Sequence, residues 1–575
     1  MQAKHEYERW LAYEGLDENS KKELLSIKNE PDTIEMRFGA PMSFGTAGLR
    51  STMYAGPACM NVYTVAQATA GIAALVMREG GCERGVAIAF DSRNNSKEFA
   101  DVCAQVLTYY GIHAYLFDGV RPTPELSFAV RRLGCIAGIN ITASHNPKEY
   151  NGYKAYWEDG AQLSPEHSEI VSAAIQEVDV LGGAGRMPLN EAREKGLLTV
   201  LDEAFDEIYL DTVLKTAINP ELICSLADEL KIVYTPLHGA GHRLVPEILR
   251  RAGLKQLYTV DEQMVLDGSF PTVAKPNPEY ASVFALGIAI AEREGSDLVI
   301  ATDPDADRVG VMSRTRSGEF ATITGNQMGA LMLDYVIRAR RKSGKLSEAS
   351  YAVKSIVSTD LAAKIAKANG VKLYDVFTGF KFIGEVIKNY EEGGKDGEFI
   401  LGFEESYGYL LGSYARDKDA VGATLLITEM TAYYRTLGMT LSDALEALYR
   451  EYGVYREGVV DIYMEGLDGI ARRLRVMHTL RESVPSSFGG SRVAFFTDHL
   501  SQLVTDLAKG EQQPTGMGKS DVLYYTLENG DKVIVRPSGT EPKIKFYFLS
   551  HGDSVDEVET KLEAYKKDAL RLANV

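Results

Sequence analysis

The chain has 575 residues, which at about 150 residues per domain gives roughly four domains. Its 62 basic and 80 acidic residues leave a net charge of −18, which excludes a generally basic nucleic-acid surface. Hydrophobic residues at 45% and charged residues at 25% exclude wholesale disorder.

No run of about 18 apolar residues occurs, so no spanning helix and no membrane partner is expected. The start, MQAKHEYERW, lacks the apolar core of a signal peptide. The cysteines Cys59, Cys82, Cys103, Cys135 and Cys224 are odd in number and never spaced as CxxC. That pattern argues against a disulfide framework and for a reducing, cytoplasmic setting.

In chain order, GVAIAF reads as a strand and Ser96 as the cap of a helix through KEFADVCAQVLTYYG, ending at Gly111. HAYLF reads as a strand, TPELSFAVRRLG as a helix and CIAGINIT as a strand, followed by a loop, TASHNPKEYNGYK. The β-α-β-α-β order returns in KIVYT, HRLVPEILRRAG, QLYTV, SVFALGIAIAEREG and DLVIAT. It returns again in YAVKSIVST, DLAAKIAKANG, VKLYDV, the helix through FIGEVIKNYEEG and EFILG. A repeat of this length implies repeated domains, and alternating elements imply parallel sheets covered by helices. After about residue 455 the pattern changes to a smaller α+β domain, with KVIVRPSGTEPKIKFYFL as strand–loop–strand before a helix. Gly-rich or charged stretches near 181–197, 314–319 and 391–397 read as connectors or surface loops.

The third strand of each unit ends in a polar loop: Ser144, then the aspartates from Asp303, then Glu404 and Glu405. Ligands of open α/β sheets collect beyond the carboxyl ends of strands. These loops are therefore expected to face one cleft.

DPDADR sets Asp303, Asp305 and Asp307 at alternate positions, which share a side in an extended loop. Three converging carboxylates repel unless a hard cation joins them, and three oxygen ligands with positions left for a phosphate suit Mg²⁺. An EF-hand is excluded, because Arg308 and Arg314 stand where glycine and glutamate are needed.

Ser144, beside His145 and Asn146, lacks a GxSxG elbow and needs a base, metal or modification to act as a nucleophile. Lys154 can return a cation toward the same loop. RPSGTEP offers Arg536, Ser538, Gly539 and Thr540 as an anion cradle. FGTAGLR offers Arg50, FEESYGYLLGSYARDKDAV offers Glu404, Ser406 and Lys418, and TGFKF offers Thr378, Gly379 and Lys381 at a strand-to-helix junction. DSRNNS, with Asp91 and Arg93, reads as a helix cap and brace.

Three look-alikes are set aside. GMGKS lacks the first P-loop glycine at Gln513, and HGAGHRL replaces a third dinucleotide-loop glycine by Leu244. His238 and His242 are four apart in a glycine-rich segment that does not suit a zinc helix.

TASHNP, DPDADR, GFEES and RPSGTEP, in that order and with FGTAGLR and TGFKF, resemble the α-D-phosphohexomutase superfamily over about residues 40–550. The length and the GFEESYGY form resemble its bacterial α-phosphoglucomutase branch. The resemblance implies three similar mixed α/β domains plus a C-terminal α+β domain around a central cleft. The expected spans are 1–215 (phosphoserine), 216–325 (metal), 326–445 (sugar) and 446–575 (phosphate).

It further implies a phosphoserine at Ser144 that, with Asp303, Asp305 and Asp307, holds Mg²⁺. Arg50, Lys154 and Arg308 then lie near the transferring phosphoryl group, with His145 beside the nucleophile. Thr378, Gly379, Lys381, Glu404, Ser406 and Lys418 match sugar or phosphate contacts, and Arg536, Ser538, Gly539 and Thr540 the nontransferring phosphate loop. The implied reaction interconverts α-D-glucose 1-phosphate and glucose 6-phosphate through glucose 1,6-bisphosphate. Mannose and pentose phosphates are alternative substrates, and a Mg²⁺-dependent sugar phosphatase or a noncatalytic sensor the alternative classes. Some relatives place a histidine after the glutamate–serine loop; here Gly408 stands there, leaving Lys154 and Lys418 as candidate bases. A monomer is expected, with a homodimer the alternative.

Overall fold

The computed structural model describes residues 2–45, 48–394, 396–464, 469–538 and 543–573. They divide into two compact units: Met1–Ile323 with Gly384–Lys395 and Tyr407–Thr440, and Thr324–Ile383 with Asp396–Ser406 and Leu441–Val575.

The first unit opens with helices α1 (Gln2–Leu11), α2 (Glu18–Ser26) and α3 (Pro31–Phe38). Asp17 caps α2 by accepting from the Asn19 and Ser20 amides, and Pro31 suits the first turn of α3, where no amide donor is needed. Tyr7, Trp10, Leu24 and Phe38 bury against Tyr63 at the start of α4 (Val62–Arg78). A cavity of about 880 Å³ separates these helices from α5 (Ser96–Tyr109) and is lined by Tyr13, Tyr63, Phe99 and Arg186, among others. It lies apart from the serine and aspartate loops.

The first sheet has strands β1 (Leu49–Thr52), β2 (Val86–Phe90), β3 (Ala114–Phe117), β4 (Ala137–Ile141), β5 (Tyr150–Trp157) and β6 (Leu198–Leu201), in the order β1-β5-β4-β2-β3-β6. Every residue of β2 and β4 is buried, as continuous apolar strands between helices should be. The sheet is mixed, not parallel throughout: β5 runs antiparallel to β4, and β1 to β5. The expected loop TASHNPKEYNGYK therefore stops at Glu149, and Lys154 stands on a strand opposite Asn140.

Ser96 is not a cap either. It is the first residue of α5, and its hydroxyl donates to Asp91 Oδ1, while Asn95 holds the cap position in a left-handed conformation.

The second sheet, with β7 (Lys231–Thr235), β8 (Gln256–Thr259), β9 (Leu298–Thr302), β10 (Val309–Arg314) and β11 (Phe320–Ile323), has the order β11-β10-β9-β7-β8. Its β7–β8 and β7–β9 pairs are parallel and the β9-β10-β11 run antiparallel.

In the second unit, β12 (Ser350–Ser355) pairs in parallel with β13 (Lys372–Val376) and β14 (Glu398–Glu404). The last sheet pairs Lys543–Gly552 with both Val454–Tyr463 and Lys532–Pro537, and the helix Val555–Ala573 buries Val558, Leu562 and Tyr565 in its core.

All five cysteines are free thiols, and burial pushes the Cys103 and Cys135 thiols up to about 12. Among the described residues no helix is long and apolar enough to cross a membrane.

Candidate active site

Ser144 follows β4 and is 3% exposed, with φ +50°. A left-handed serine is uncommon, and here its amide is satisfied by Thr142 Oγ1 at 2.8 Å. That turn aims the hydroxyl across to the next domain's loop, where it donates to Asp303 Oδ2 at 2.7 Å. His145 Nδ1 is 3.1 Å from the same hydroxyl oxygen. Burial, with Arg308 and Arg50 nearby, holds His145 well below its ordinary range, so the imidazole is neutral at pH 7. Arg50, on β1, donates to Asn146 Oδ1 at 3.1 Å.

The DPDADR segment is a turn rather than an extended loop. Ala306 has φ +49°, and its amide closes onto Asp303 O at 2.9 Å. Asp303 Oδ1 then accepts from the Asp307 and Arg308 amides at 3.1 and 3.0 Å. The turn brings one oxygen from each of Asp303, Asp305 and Asp307 within 4.8 Å of one another, all buried.

Lys154 Nζ lies 2.7 Å from Asp305 Oδ2 and 3.2 Å from Asp307 Oδ2. Thr123, starting helix α6 (Thr123–Leu133), donates to Asp305 Oδ2 at 2.8 Å. Burial and the two neighbouring carboxylates push Asp303 well above the usual range. Burial acts the same way on Asp307, but Lys154, Lys418 and Arg308 overcome it and hold that carboxylate below.

The cluster fits a cation. Asp305 Oδ1 and Asp307 Oδ1 are buried without a hydrogen-bond partner, and such orphaned carboxylate oxygens suit a hard divalent ion.

Lys418 reaches Asp307 Oδ2 at 3.1 Å and Asp417 Oδ1 at 3.0 Å. Asp417 is itself held by Tyr156 Oη at 2.9 Å and Gln162 Nε2 at 3.3 Å. Gly408 is what lets Lys418 pass: a β-carbon there would stand 2.1 Å from Lys418 Cδ. Arg308 pairs with Glu279 at 2.5 Å.

The first unit thus brings together Ser144, His145, Arg50, Lys154, the three aspartates, Arg308 and Lys418. In the second unit, Glu404 ends β14 and accepts from the Gly379 amide at 2.7 Å, with Thr378 adjacent in sequence. Lys381 lies in the helix Phe380–Glu392 with its ammonium 5.1 Å from the Phe382 ring centroid. Ser406 is half-buried, and Arg536 stands in the strand Lys532–Pro537 opposite Lys545. The Ser538 carbonyl accepts from Arg473 at 3.1 Å. Gly539 and Thr540 lie outside the described residues.

Sequence reasoning missed Thr123, Asp417 and Tyr156, which bond the site from other elements. It also read Arg93 as a helix brace, whereas its guanidinium grips the Ser144 loop. His238 is structural, bonded to Val265 O and Thr272 Oγ1 at 2.9 and 2.8 Å.

Four profiles described as phosphoglucomutase/phosphomannomutase match the sequence: alpha/beta/alpha domain I at residues 41–181, domain II at 207–318, domain III at 324–452 and the C-terminal domain at 501–564. A phosphoglucomutase of Staphylococcus saprophyticus is 35% identical over 556 residues, 96% of this chain and 98% of the relative. One of Staphylococcus aureus is 36% identical over 533 residues, 92% of this chain and 94% of the relative. Among solved structures, a putative phosphomannomutase from Thermus thermophilus superposes with a TM-score of 0.67 at 21% identity, covering 92% of this chain and 99% of the other. The Paramecium phosphoglucomutase parafusin gives 0.66 at 17% identity, covering 93% and 95%. At those identities the structures show a shared fold.

Proposed function

The chain belongs to the phosphoglucomutase/phosphomannomutase family, and from that premise we propose that it is a phosphotransferring isomerase interconverting α-D-glucose 1-phosphate and glucose 6-phosphate. Ser144 carries the phosphoryl group, and glucose 1,6-bisphosphate is the intermediate. The observation that carries this reading is the 2.7 Å bond from Ser144 Oγ to Asp303, inside a buried cluster of three aspartates and Lys154. Glucose is favoured because relatives 35–36% identical over most of the chain are named phosphoglucomutases.

Asp303, Asp305 and Asp307 would hold Mg²⁺ together with the Ser144 oxygen, and the ion would offset charge on the phosphoryl oxygens. The chain's own groups do the rest. Ser144 gives its phosphoryl group to a free sugar hydroxyl, and the turned bisphosphate returns its other one. Arg50 and Arg308 steady the oxygens in flight, where charge stabilisation and positioning supply most of the catalysis. Lys154 and Lys418 carry the protons of the two half-reactions. Thr378, Gly379, Lys381, Glu404 and Ser406 hold the sugar, and Arg536, Ser538, Gly539 and Thr540 the nontransferring phosphate. Four domains carry these groups, over residues 1–215, 216–325, 326–445 and 446–575. The free thiols support placing the enzyme in the cytoplasm.

The test is incubation with glucose 1-phosphate, Mg²⁺ and a trace of glucose 1,6-bisphosphate, following glucose 6-phosphate and free phosphate. Glucose 6-phosphate is the expected product. Predominant free phosphate sinks the mutase in favour of a phosphatase. No turnover of glucose, mannose or ribose phosphates favours a sensor.

A further inference from the structure

Arg93 is a charged side chain with no solvent exposure, and its guanidinium faces backbone oxygens. Nη1 donates to Pro147 O at 2.8 Å and Tyr150 O at 3.0 Å. Nη2 donates to Ser144 O at 2.6 Å and to Asn146 O. Nε faces the buried Asp91 carboxylate at 3.4 Å, and Asp91 Oδ1 accepts the Arg93 amide at 2.9 Å.

All four Nη hydrogens are thus spent on the peptide that carries Ser144. Lysine has only three donors on one atom and cannot span this fan of carbonyls. Over the guanidinium lies the Phe270 ring, 5.0 Å away, from the neighbouring domain. Gly268 brings that segment in: a β-carbon there would meet Asn94 N at 2.3 Å.

We propose that Arg93, roofed by Phe270, is the positioning residue of the nucleophile loop, holding the 144–150 backbone so that Ser144 Oγ stays on Asp303. The carbonyls it collects would otherwise need water in a site from which water must be kept. The left-handed serine's own carbonyl is one of the four that Arg93 holds. The role in turnover rests on the mutase reading; the role in holding the loop does not.

The test uses the full chain with Arg93→Lys and Phe270→Ala, both of which leave a cation opposite Asp91. Backbone hydrogen exchange is followed over peptides spanning 142–151 without substrate, and kcat and KM with glucose 1-phosphate. Both variants are expected to exchange faster over 142–151 than wild type while the β2 and α5 peptides stay protected. In Arg93→Lys, kcat should fall about 100-fold, the cost of an ångström-scale misplacement, with KM within about threefold. Unchanged exchange over 142–151 in Arg93→Lys overturns the proposal. So does a rise in KM with kcat unchanged. If Arg93→Lys does not fold, exchange in Phe270→Ala decides by the same criterion. If wild type lacks mutase turnover, the functional reading fails, and the exchange result still decides what Arg93 does.

Discussion

The Ser144 hydroxyl donates to Asp303 Oδ2 at 2.7 Å across 159 residues of sequence, from one repeated domain to the next. This bond couples the nucleophile to a carboxylate that its neighbours already crowd. Asp303→Asn is therefore expected to act in opposite directions with and without metal. In chelator it removes one of three like charges, and thermal stability should hold or rise. In saturating Mg²⁺, wild type should gain about 2.7 kcal/mol at a hundred times Kd, and the variant should gain little. Thermal melts with EDTA and with Mg²⁺ measure both. An equal Mg²⁺ gain in the two proteins would show that Asp303 is no ligand.

Lys154 bridges Asp305 at 2.7 Å and Asp307 at 3.2 Å, and all three are buried. Lys154→Met leaves the carboxylates short of a counter-charge, which costs about 3–5 kcal/mol when a buried pair is broken. Urea unfolding in EDTA should show that loss, with part recovered in Mg²⁺. Activity should fall by about 10²–10⁴, the range for a positioned proton carrier. Wild-type stability in EDTA would mean that the lysine is not the carboxylates' partner.

Gly408 and Lys418 cannot both keep their places if a methyl is added at 408, where it would stand 2.1 Å from Lys418 Cδ. Gly408→Ala should push Lys418 off Asp307 and reproduce the kinetics of Lys418→Met. The double variant should then be no worse than either single one. Additive losses in that cycle would separate the two residues.

Glu125, in α6, is fully buried, and neither carboxylate oxygen has a hydrogen-bond partner. Burial outweighs Arg121 and Arg243 and pushes it from 4.5 up to about 8. The folded state therefore binds the proton more tightly than the unfolded one. Stability from this group is present in full below pH 4.5 and is lost as pH rises through 8. The loss between pH 6 and 9 should be on the order of a few kcal/mol. Glu125→Gln should flatten the stability profile in that window, read by denaturant titration at each pH. A profile as steep as wild type would assign the pH dependence elsewhere.

The fold was legible where apolar runs are continuous. VAIAF, AGINI and LVIAT became strands in which every residue is buried. Errors fell at the ends of such runs. Ser96 looks like a cap, yet its hydroxyl bonds Asp91, a partner supplied by the turn before it. YNGYK reads as the end of a loop because it mixes polar and aromatic residues, yet it opens a strand that pairs with β4 and β1 on its two edges. Arg93 gave no legible signal: its partners are backbone carbonyls 51–57 residues later, and a carbonyl has no residue type.

By itself the sequence determined which groups are present: one serine loop, three alternating carboxylates, lysines and arginines for phosphate, and the order of elements that carries them. Periodicity reports which face a residue takes, and that is a local property. The tertiary structure decided distances. Ala306 in a left-handed turn folds the aspartates together, and β5 running antiparallel to β4 returns Lys154 to within 2.7 Å of Asp305. Hydrogen bonds and ion pairs weaken within an ångström, so only sheet order and packing could choose which of these charged groups would meet.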